Sequence, residues 1–310
     1  MEIRQILHYN LFEKIGEGIS GEVYRAWDND QQKPAAVKIL RRTPASQHLT
    51  DRLSTARALI HQEHPNIGRI YHVVEKGDLT AVVMEHVTGQ SLADIISCED
   101  KTDYNILDIF AQAARGLKEI HAMKLLHGNL KPSNIMVSSE GIVKLIDAGL
   151  SLFEDYQLNP EFEAPAEAYH YLSPEQVLNQ DITVKSDLFS LGGIFYRCVA
   201  GELPFDGVDA NDICRSILDY QPNFTALRSR GTSGDKILLL EKLLAKEPED
   251  RLTSSSELEI TLREMRSFHD DYQKLQALMK PPPSSRRYVS IAVLVALLLI
   301  FWYVVTSGRH

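Results

Sequence analysis

The chain has 310 residues and a formal net charge of −9 at pH 7, with 33 Lys and Arg against 42 Asp and Glu. An acidic chain without a basic stripe cannot neutralise a phosphate backbone, so the composition argues against a nucleic-acid-binding protein. The three cysteines, Cys98, Cys198 and Cys214, lie far apart and match no metal-ligand spacing. They indicate free thiols in a reducing compartment.

The first ninety residues predict mainly strands. Residues 9–40 have strand character on both sides of the glycine-rich turn IGEGISGEVY. Residues 50–62 then predict a helix capped by Thr50, with apolar side chains recurring on one face. Residues 69–87 predict a β-hairpin that leads into the linker TGQS.

After this linker the chain becomes rich in helices. Apolar residues recur at helical spacing over residues 104–123, and the short strands NIMV and IVKLI flank the turn SSEG. Further helices are predicted over residues 186–201, 212–220 and 235–247. Strands followed by helices predict an α+β arrangement of two lobes, and a cleft between lobes is a common ligand site.

Residues 288–305, YVSIAVLVALLLIFWYVV, predict a transmembrane helix. A helix of this length spans about 27 Å, close to the thickness of the bilayer hydrocarbon. Arg286 and Arg287 precede this segment and Arg309 follows it, which predicts a cytoplasmic domain, one membrane crossing and a short tail at 306–310. Residues 269–287 predict a helical tail and a Pro-rich linker, and no secretory signal is visible at the start.

Three glycines and one lysine suggest a phosphate site. Gly16, Gly18 and Gly21 have the G-x-G-x-x-G spacing that lets a backbone approach phosphates, although an ordinary hairpin can carry the same pattern. Lys38 follows Gly21 by seventeen residues on the next predicted strand, within reach of the phosphates. The oxygen ligands of Asn134 and Asp147 are spaced across one small hairpin, as Mg²⁺ bound to a nucleotide requires.

The order of these motifs resembles that of the protein kinase family. The resemblance covers residues 10–268 through the glycine-rich loop, Lys38, HPNI, HGNLKPSN, DAG, SPE, SDLFSLG and Arg251 in PEDRLT. It implies a two-lobed kinase-like fold. An antiparallel sheet with the family's αC helix would form the N-lobe over residues 10–88, and a helical C-lobe would occupy residues 89–268.

The resemblance also implies the site residues and their ligands, ATP and Mg²⁺. The ATP site would consist of Ile15, Gly16, Gly18, Gly21, Val23, Ala36, Lys38, Met84, Glu85, Val87 and Met136. The metal ligands would be Asn134 and Asp147, and Lys131 would neutralise the γ-phosphate. Simple core packing is the alternative for the apolar members, and for Ile15 and Met136 both roles are compatible. Asp187 would brace the 127–134 loop, and Glu175 would pair with Arg251.

The catalytic positions depart from the family pattern. The family's HRD motif is His127-Gly128-Asn129 here, so an amide stands where a carboxylate would accept the substrate proton. Loss of a positioned base reduces a rate typically 10²–10⁴-fold. Gly128 also removes the usual cationic partner of an activation-loop phosphate.

Three further departures affect the active conformation. Ala148 replaces the aromatic residue of the DFG motif, and Ala168 replaces a small hydroxyl residue that the family places near the substrate. Thr55 stands where the family has the glutamate partner of Lys38, and Asp51, one turn earlier, is the only nearby substitute.

These observations predict a membrane-anchored pseudokinase, a signalling or scaffold module that binds ATP. A weakly active Ser/Thr protein kinase is the alternative, because Lys38, Lys131, Asn134 and Asp147 are retained and electrostatic positioning supplies much of phosphoryl-transfer catalysis. Adenylyl transfer on the same fold has only analogy behind it. The sequence does not identify a protein partner or substrate. Ala292 and Ala296 have a spacing that suits pairing of two membrane segments in a homodimer.

Overall fold

The computed structural model describes residues 4–18, 21–40, 49–98, 105–150 and 168–279. The predicted membrane segment 288–305 and residues 19–20 of the glycine-rich turn lie outside the described residues. Within the described ranges, no helix is both long and apolar enough to cross a membrane. The predicted domain limits stay predictions.

The N-lobe is a six-stranded sheet with one helix. Its strands are β1 (Gln5–Ile6), β2 (Tyr9–Gly18), β3 (Gly21–Asp28), β4 (Lys33–Leu40), β5 (Ile70–Lys76) and β6 (Leu79–Glu85), and helix α1 (Leu49–Ala58) follows β4. The spatial order is β1-β2-β3-β4-β6-β5, and all neighbours are antiparallel. The predicted strands and the β5–β6 hairpin are confirmed.

Both faces of β4 are buried, which explains its apolar sequence. One face contributes to the N-lobe core, a cluster formed by Ile6, Tyr9, Ala26, Ala35, Val37, Ala81 and Val83. Successive side chains of a strand point to opposite faces, so Ala36 and Lys38 lie on the other face. That second face is turned toward the candidate site.

The third glycine of the glycine-rich turn is required by the sheet itself. Gly21 pairs with Leu40 and has φ +144°, and a Cβ built there would lie 1.9 Å from the carbonyl oxygen of Ile39. At Gly18 a Cβ would meet no described atom within 4 Å. Gly21 therefore has a structural role whether or not a phosphate binds.

Helix α1 confirms the predicted apolar face but not its predicted start. Leu53 and Ala56 are fully buried, and Leu59 is buried just beyond the helix end. The predicted N-cap at Thr50 is wrong, because α1 already begins at Leu49 and Thr50 lies within it.

The C-lobe consists of helices and a small three-stranded sheet. Its helices are α2 (Leu92–Ser97), α3 (Ile106–Ala122), α4 (Pro174–Val177), α5 (Val184–Ala200), α6 (Ala210–Asp219), α7 (Phe224–Ser229), α8 (Gly234–Leu243) and α9 (Ser255–Met279). Strands β7 (Gln90–Ser91), β8 (Ile135–Val137) and β9 (Val143–Leu145) are antiparallel neighbours in that order. Ser91, Asn105 and Thr183 cap their helices by accepting backbone N–H groups.

Helices α3 and α5 provide the centre of the C-lobe. Leu117 and Ile120 of the predicted α3 stripe are fully buried, and the rings of Phe110 and Phe195 pack 4.8 Å apart. Helix α8 approaches α5 so closely that a Cβ at Gly192 would lie 2.6 Å from the Cβ of Leu243. The predicted helical periodicity is thus confirmed where the lobe is most tightly packed.

The HPNI turn joins the two lobes. The buried Asn66 side chain donates to the carbonyl oxygen of Val143 at 2.8 Å and to Gln112 Oε1 at 3.1 Å. The backbone of Leu145 donates to the Asn66 carbonyl oxygen at 3.0 Å. The chain segment between α1 and β5 is therefore fastened to α3 and β9, which fixes the floor of the cleft.

The predicted ion pair between Glu175 and Arg251 is confirmed. Arg251 Nη1 and Nη2 lie 2.7 and 3.0 Å from the two carboxylate oxygens of Glu175, and both residues are buried. Ser186 donates to the same carboxylate, and Arg251 also donates to the carbonyl oxygens of Ala245 and Lys246. Burial opposes the ionisation of Glu175, but the hydrogen bonds from Arg251 and Ser186 lower its pKa below the usual carboxyl value.

Replacing Arg251 with Met should lower the free energy of unfolding by about 3–5 kcal/mol, because a buried carboxylate then loses its cation. The matched control is Arg228→Met, which removes an exposed ion pair with Glu241 and should cost less than about 1 kcal/mol. Denaturant unfolding of both variants measures the difference. Equal losses would contradict the role given to the buried pair.

Candidate functional site

One face of the N-lobe sheet gathers the predicted pocket residues. Directly opposite residues of an antiparallel pair share a face, and Val23 pairs with Lys38, Lys38 with Val82, and Ala36 with Met84. These five side chains therefore line one surface. Ala36, Lys38 and Met84 are buried there.

The other predicted pocket residues lie at the rim. Ile15 is 47% exposed, which does not fit the alternative of core packing for this residue. Gly16 pairs with Val23, and a Cβ there would stand 3.7 Å from the Val23 side chain. Val87 and Met136 are half-buried.

Lys38 forms an ion pair with the candidate metal ligand Asp147. Lys38 Nζ lies 2.5 Å from Asp147 Oδ2, and the two side chains are 4% and 12% exposed. The sequence motifs place the expected partner of Lys38 on α1 and did not indicate this pair. The alternative partner, Asp51, has a side chain that lies outside the described residues. A cation bound to Asp147 would replace Lys38 as its partner, and a phosphate bound to Lys38 would replace Asp147.

Helix α1 packs directly on the turn that follows Asp147. A Cβ at Gly149, which has φ +72°, would lie only 2.4 Å from the Cβ of Thr55. Ala148 is buried and lines a cavity of about 10 Å³ together with Leu59. That volume holds about one water. Small side chains thus lie beside the turn at positions 55 and 148, where the resemblance to kinases implies a glutamate and an aromatic ring.

The predicted hinge residue Glu85 is held by the C-lobe. Its carboxylate lies 3.0 Å from Lys144 Nζ on β9, a pair that no local sequence pattern indicated. Its backbone N–H donates to the carbonyl oxygen of Arg69 at 2.8 Å. The carbonyl oxygen of Glu85 is therefore the backbone group that this residue offers to a ligand.

Asp187 braces the 127–134 loop as predicted. Its Oδ2 accepts the backbone N–H of His127 and its Oδ1 accepts that of Gly128, both at 2.8 Å. Gly128 has φ +65°, a conformation that costs glycine little. Burial opposes ionisation of Asp187, but the hydrogen bond from His121 helps to lower its pKa below the usual carboxyl value. Burial also lowers the pKa of His127.

The loop brings the second metal-ligand candidate to the first. Asn134 Nδ2 donates to the carbonyl oxygen of Asn129 at 2.7 Å, which leaves Oδ1 as the atom that a cation would use. The backbone N–H of Ile146, the neighbour of Asp147, donates to the Asn134 carbonyl oxygen at 3.0 Å. The half-buried Lys131 precedes Asn134 in the same loop and accepts its N–H.

These donors fit Mg²⁺. Among the described residues there is no group of three or more His, Cys, Asp or Glu that could hold a metal ion. Mg²⁺ does not need such a cage, because it keeps several waters and is commonly held by one or two carboxylates plus substrate phosphates. The carboxylate of Asp147 and the amide oxygen of Asn134 are hard ligands of this kind.

Two residues behind the loop, His121 and Ser255, were not predicted from the sequence. His121 Nε2 lies 2.8 Å from Asp187 Oδ2, and Ser255 Oγ lies 2.6 Å from His121 Nδ1. A histidine that continues the buried stripe of α3 was a usable signal, since a buried ring nitrogen needs a partner. Ser255 gave no such signal, because its burial depends on tertiary packing.

Comparison with known proteins gives one family. A family model described as "Protein kinase domain" matches residues 9–261. The chain is 31% identical over 264 residues to the serine/threonine-protein kinase PknB of Mycobacterium tuberculosis, covering 82% of this chain and 42% of that protein. It is 28% identical over 258 residues to the serine/threonine-protein kinase PrkC of Bacillus subtilis, covering 82% of this chain and 40% of the relative. The chain thus spans about two fifths of the length of these relatives.

The contact between α1 and the 147–149 turn can be measured with two glycines of similar backbone geometry. Gly141→Ala, at φ +76° with no described atom within 4 Å of a new Cβ, should cost only the backbone strain, about 1–2 kcal/mol. Gly149→Ala should cost at least about 1 kcal/mol more in the free energy of unfolding, because its Cβ must displace Thr55. Equal costs would mean that α1 does not press on this turn.

Proposed function

The chain belongs to the protein kinase family, and we propose that its kinase-like domain binds ATP with Mg²⁺ and acts as a pseudokinase, a signalling or scaffold module. The observation that carries this proposal is an amide at position 129 in a loop whose other parts are retained. Asp187 holds the backbone before Asn129, and Asn134 donates to its carbonyl oxygen. The backbone at the position of the catalytic base is therefore held in place. The Asn129 side chain at that position accepts no proton at neutral pH.

In this proposal each retained residue has a binding role. Lys38 pairs with the α- and β-phosphates, and Lys131 faces the γ-phosphate. Asn134 and Asp147 hold Mg²⁺, which supplies charge neutralisation to the phosphates when it is bound. Asn129 takes no proton, so a rate loss of about 10²–10⁴-fold follows for any transfer.

The Lys38–Asp147 ion pair makes ATP and Mg²⁺ depend on each other. Each ligand binds one member of the pair, and either ligand alone leaves the other member buried with its partner removed. Breaking one side of a buried pair is strongly unfavourable. Binding of both ligands together gives Lys38 a phosphate and Asp147 a cation, so ATP and Mg²⁺ favour each other's binding.

A weakly active Ser/Thr protein kinase is the second candidate, and the names of the relatives favour it over the pseudokinase proposal. Lys38, Lys131, Asn134 and Asp147 would position ATP for transfer, and positioning with electrostatics supplies most of this chemistry. Transfer would then go to a protein hydroxyl. No observation supports adenylyl transfer.

We further propose that residues 288–305 anchor the domain to a membrane, with the domain on the cytoplasmic side. The support is the apolar length of this segment and the arginines before it. The spacing of Ala292 and Ala296 would allow two copies to pair within the bilayer. The protein partner is not identified by any of these features.

ATP with Mg²⁺ should bind the full chain, and calorimetry should show weaker ATP binding when Mg²⁺ is removed. Lys38→Ala and Asp147→Ala should each weaken binding about tenfold or more, because a hydrogen bond to a charged group contributes about 1.5–3 kcal/mol. Lys33→Ala is the matched control on the same strand, since Lys33 lies over the Tyr71 ring. Absence of binding at millimolar ATP and Mg²⁺ would refute the proposed function.

Deleting residues 288–310 should move the protein from the membrane fraction to the soluble fraction of expressing cells, because the deletion removes the apolar segment. Deleting only residues 306–310 is the control and should leave the protein with the membrane. A truncated protein that still sediments with the membrane would contradict the anchor. So would digestion of the domain by protease added outside intact cells.

A further inference from the structure

A buried hydrogen-bond network connects three helices behind the 127–134 loop. Ser255 begins α9, His121 lies in the last turn of α3, and Asp187 lies in the first turn of α5. Ser255 Oγ is 2.6 Å from His121 Nδ1, and His121 Nε2 is 2.8 Å from Asp187 Oδ2. Ser255 and Asp187 are 1% and 3% exposed, and the His121 side chain is 8% exposed.

When the His121 ring is neutral, the chemistry of the three groups sets the direction of each hydrogen bond. The Asp187 carboxylate only accepts, so His121 Nε2 must carry a proton. In the neutral ring Nδ1 is then an acceptor, and the Ser255 hydroxyl donates to it. A serine, a histidine and an aspartate in this order also occur in hydrolases, but here the Ser255 hydroxyl is buried and points its proton inward. The network therefore positions groups and does not react.

The network continues into the candidate site. The same Asp187 carboxylate accepts the backbone N–H groups of His127 and Gly128. The next residue is Asn129, whose carbonyl oxygen accepts the side-chain amide of Asn134. Hydrogen bonds, joined by the peptide link between Gly128 and Asn129, thus lead from the first residue of α9 to a candidate Mg²⁺ ligand.

We propose that Ser255 is a positioning residue of the candidate site: its hydrogen bond to His121 orients the ring that holds Asp187, and Asp187 in turn holds the backbone of the 127–134 loop. The consequence for Asn134 and Mg²⁺ rests on the proposed function, whereas the effect on the loop backbone does not. Helix α9 precedes the linker and the predicted membrane segment in the sequence. The network therefore connects that helix to the loop of the candidate site.

Hydrogen exchange of the full chain tests the effect on the loop. Ser255→Ala leaves the buried Nδ1 of His121 without its donor, so the amides of His127 and Gly128 should lose protection by about tenfold. Ser256→Ala is the matched control, because this half-buried neighbour lies in the same turn outside the network, and protection should change less than about twofold. Ser255→Thr keeps the hydroxyl, so the amides of His127 and Gly128 should stay as protected as in the wild type. Equal protection in the Ala variants would overturn the proposal.

The wild-type protein provides a test that does not depend on any variant folding. In ¹⁵N-histidine spectra of the full chain at about pH 8, where an ordinary histidine is neutral, His121 should be the Nε2–H tautomer. The Nδ1–H tautomer would overturn the proposal, since Ser255 could not then donate to the ring.

Calorimetry separates this inference from the proposed function. Ser255→Ala should weaken ATP binding in the presence of Mg²⁺ several-fold and change binding without Mg²⁺ far less. Unchanged binding in both conditions would refute the connection to Asn134. Failure of the wild type to bind ATP would refute the proposed function, and the amide exchange would still decide the positioning role.

Discussion

The centre of the molecule depends on the hydrogen bonds that the Asp187 carboxylate accepts. This carboxylate is buried at the start of α5 and accepts three hydrogen bonds, from the His121 ring and from the backbone N–H groups of His127 and Gly128. A buried carboxylate is unfavourable unless its oxygens accept hydrogen bonds. The three donors and the carboxylate therefore hold one another in place. The loop that carries Asn129 and Asn134 takes its shape from this one group.

The departures from the family pattern at positions 55 and 148 lie near a second buried charged group, the ion pair between Lys38 and Asp147. With Thr55 on α1, Lys38 pairs with Asp147, and Thr55 instead packs against Gly149. Ala148, in place of an aromatic residue, lines a cavity of about 10 Å³ beside the turn. The scaffold interactions, by contrast, are retained in full at Glu175, Arg251 and Asp187. This contrast between changed catalytic positions and an intact frame is the observation behind the proposed binding module.

Local patterns in the sequence predicted the elements, and the resemblance to the kinase family predicted the Asp187 brace. The β5–β6 hairpin, the apolar stripe of α3 and the Asp187 brace are confirmed. Three contacts were missed, because they join residues far apart in sequence and have no local signature. The missed pairs are Lys38 with Asp147, Glu85 with Lys144, and His121 with Ser255. The structural need for Gly21 was hidden too, since it arises from the neighbouring strand and not from the turn.

Incubation of the purified full chain with Mg²⁺ and ATP labelled on either the α- or the γ-phosphate tests the central claim most directly. The account predicts that ATP binds and that neither label is transferred to the chain or to an added protein substrate. Asp147→Ala, prepared in the same way, identifies any transfer by a contaminating enzyme. Transfer of the γ-label by the wild type but not by this variant would contradict the account and establish an active kinase despite Asn129. Transfer of the α-label would establish adenylyl transfer.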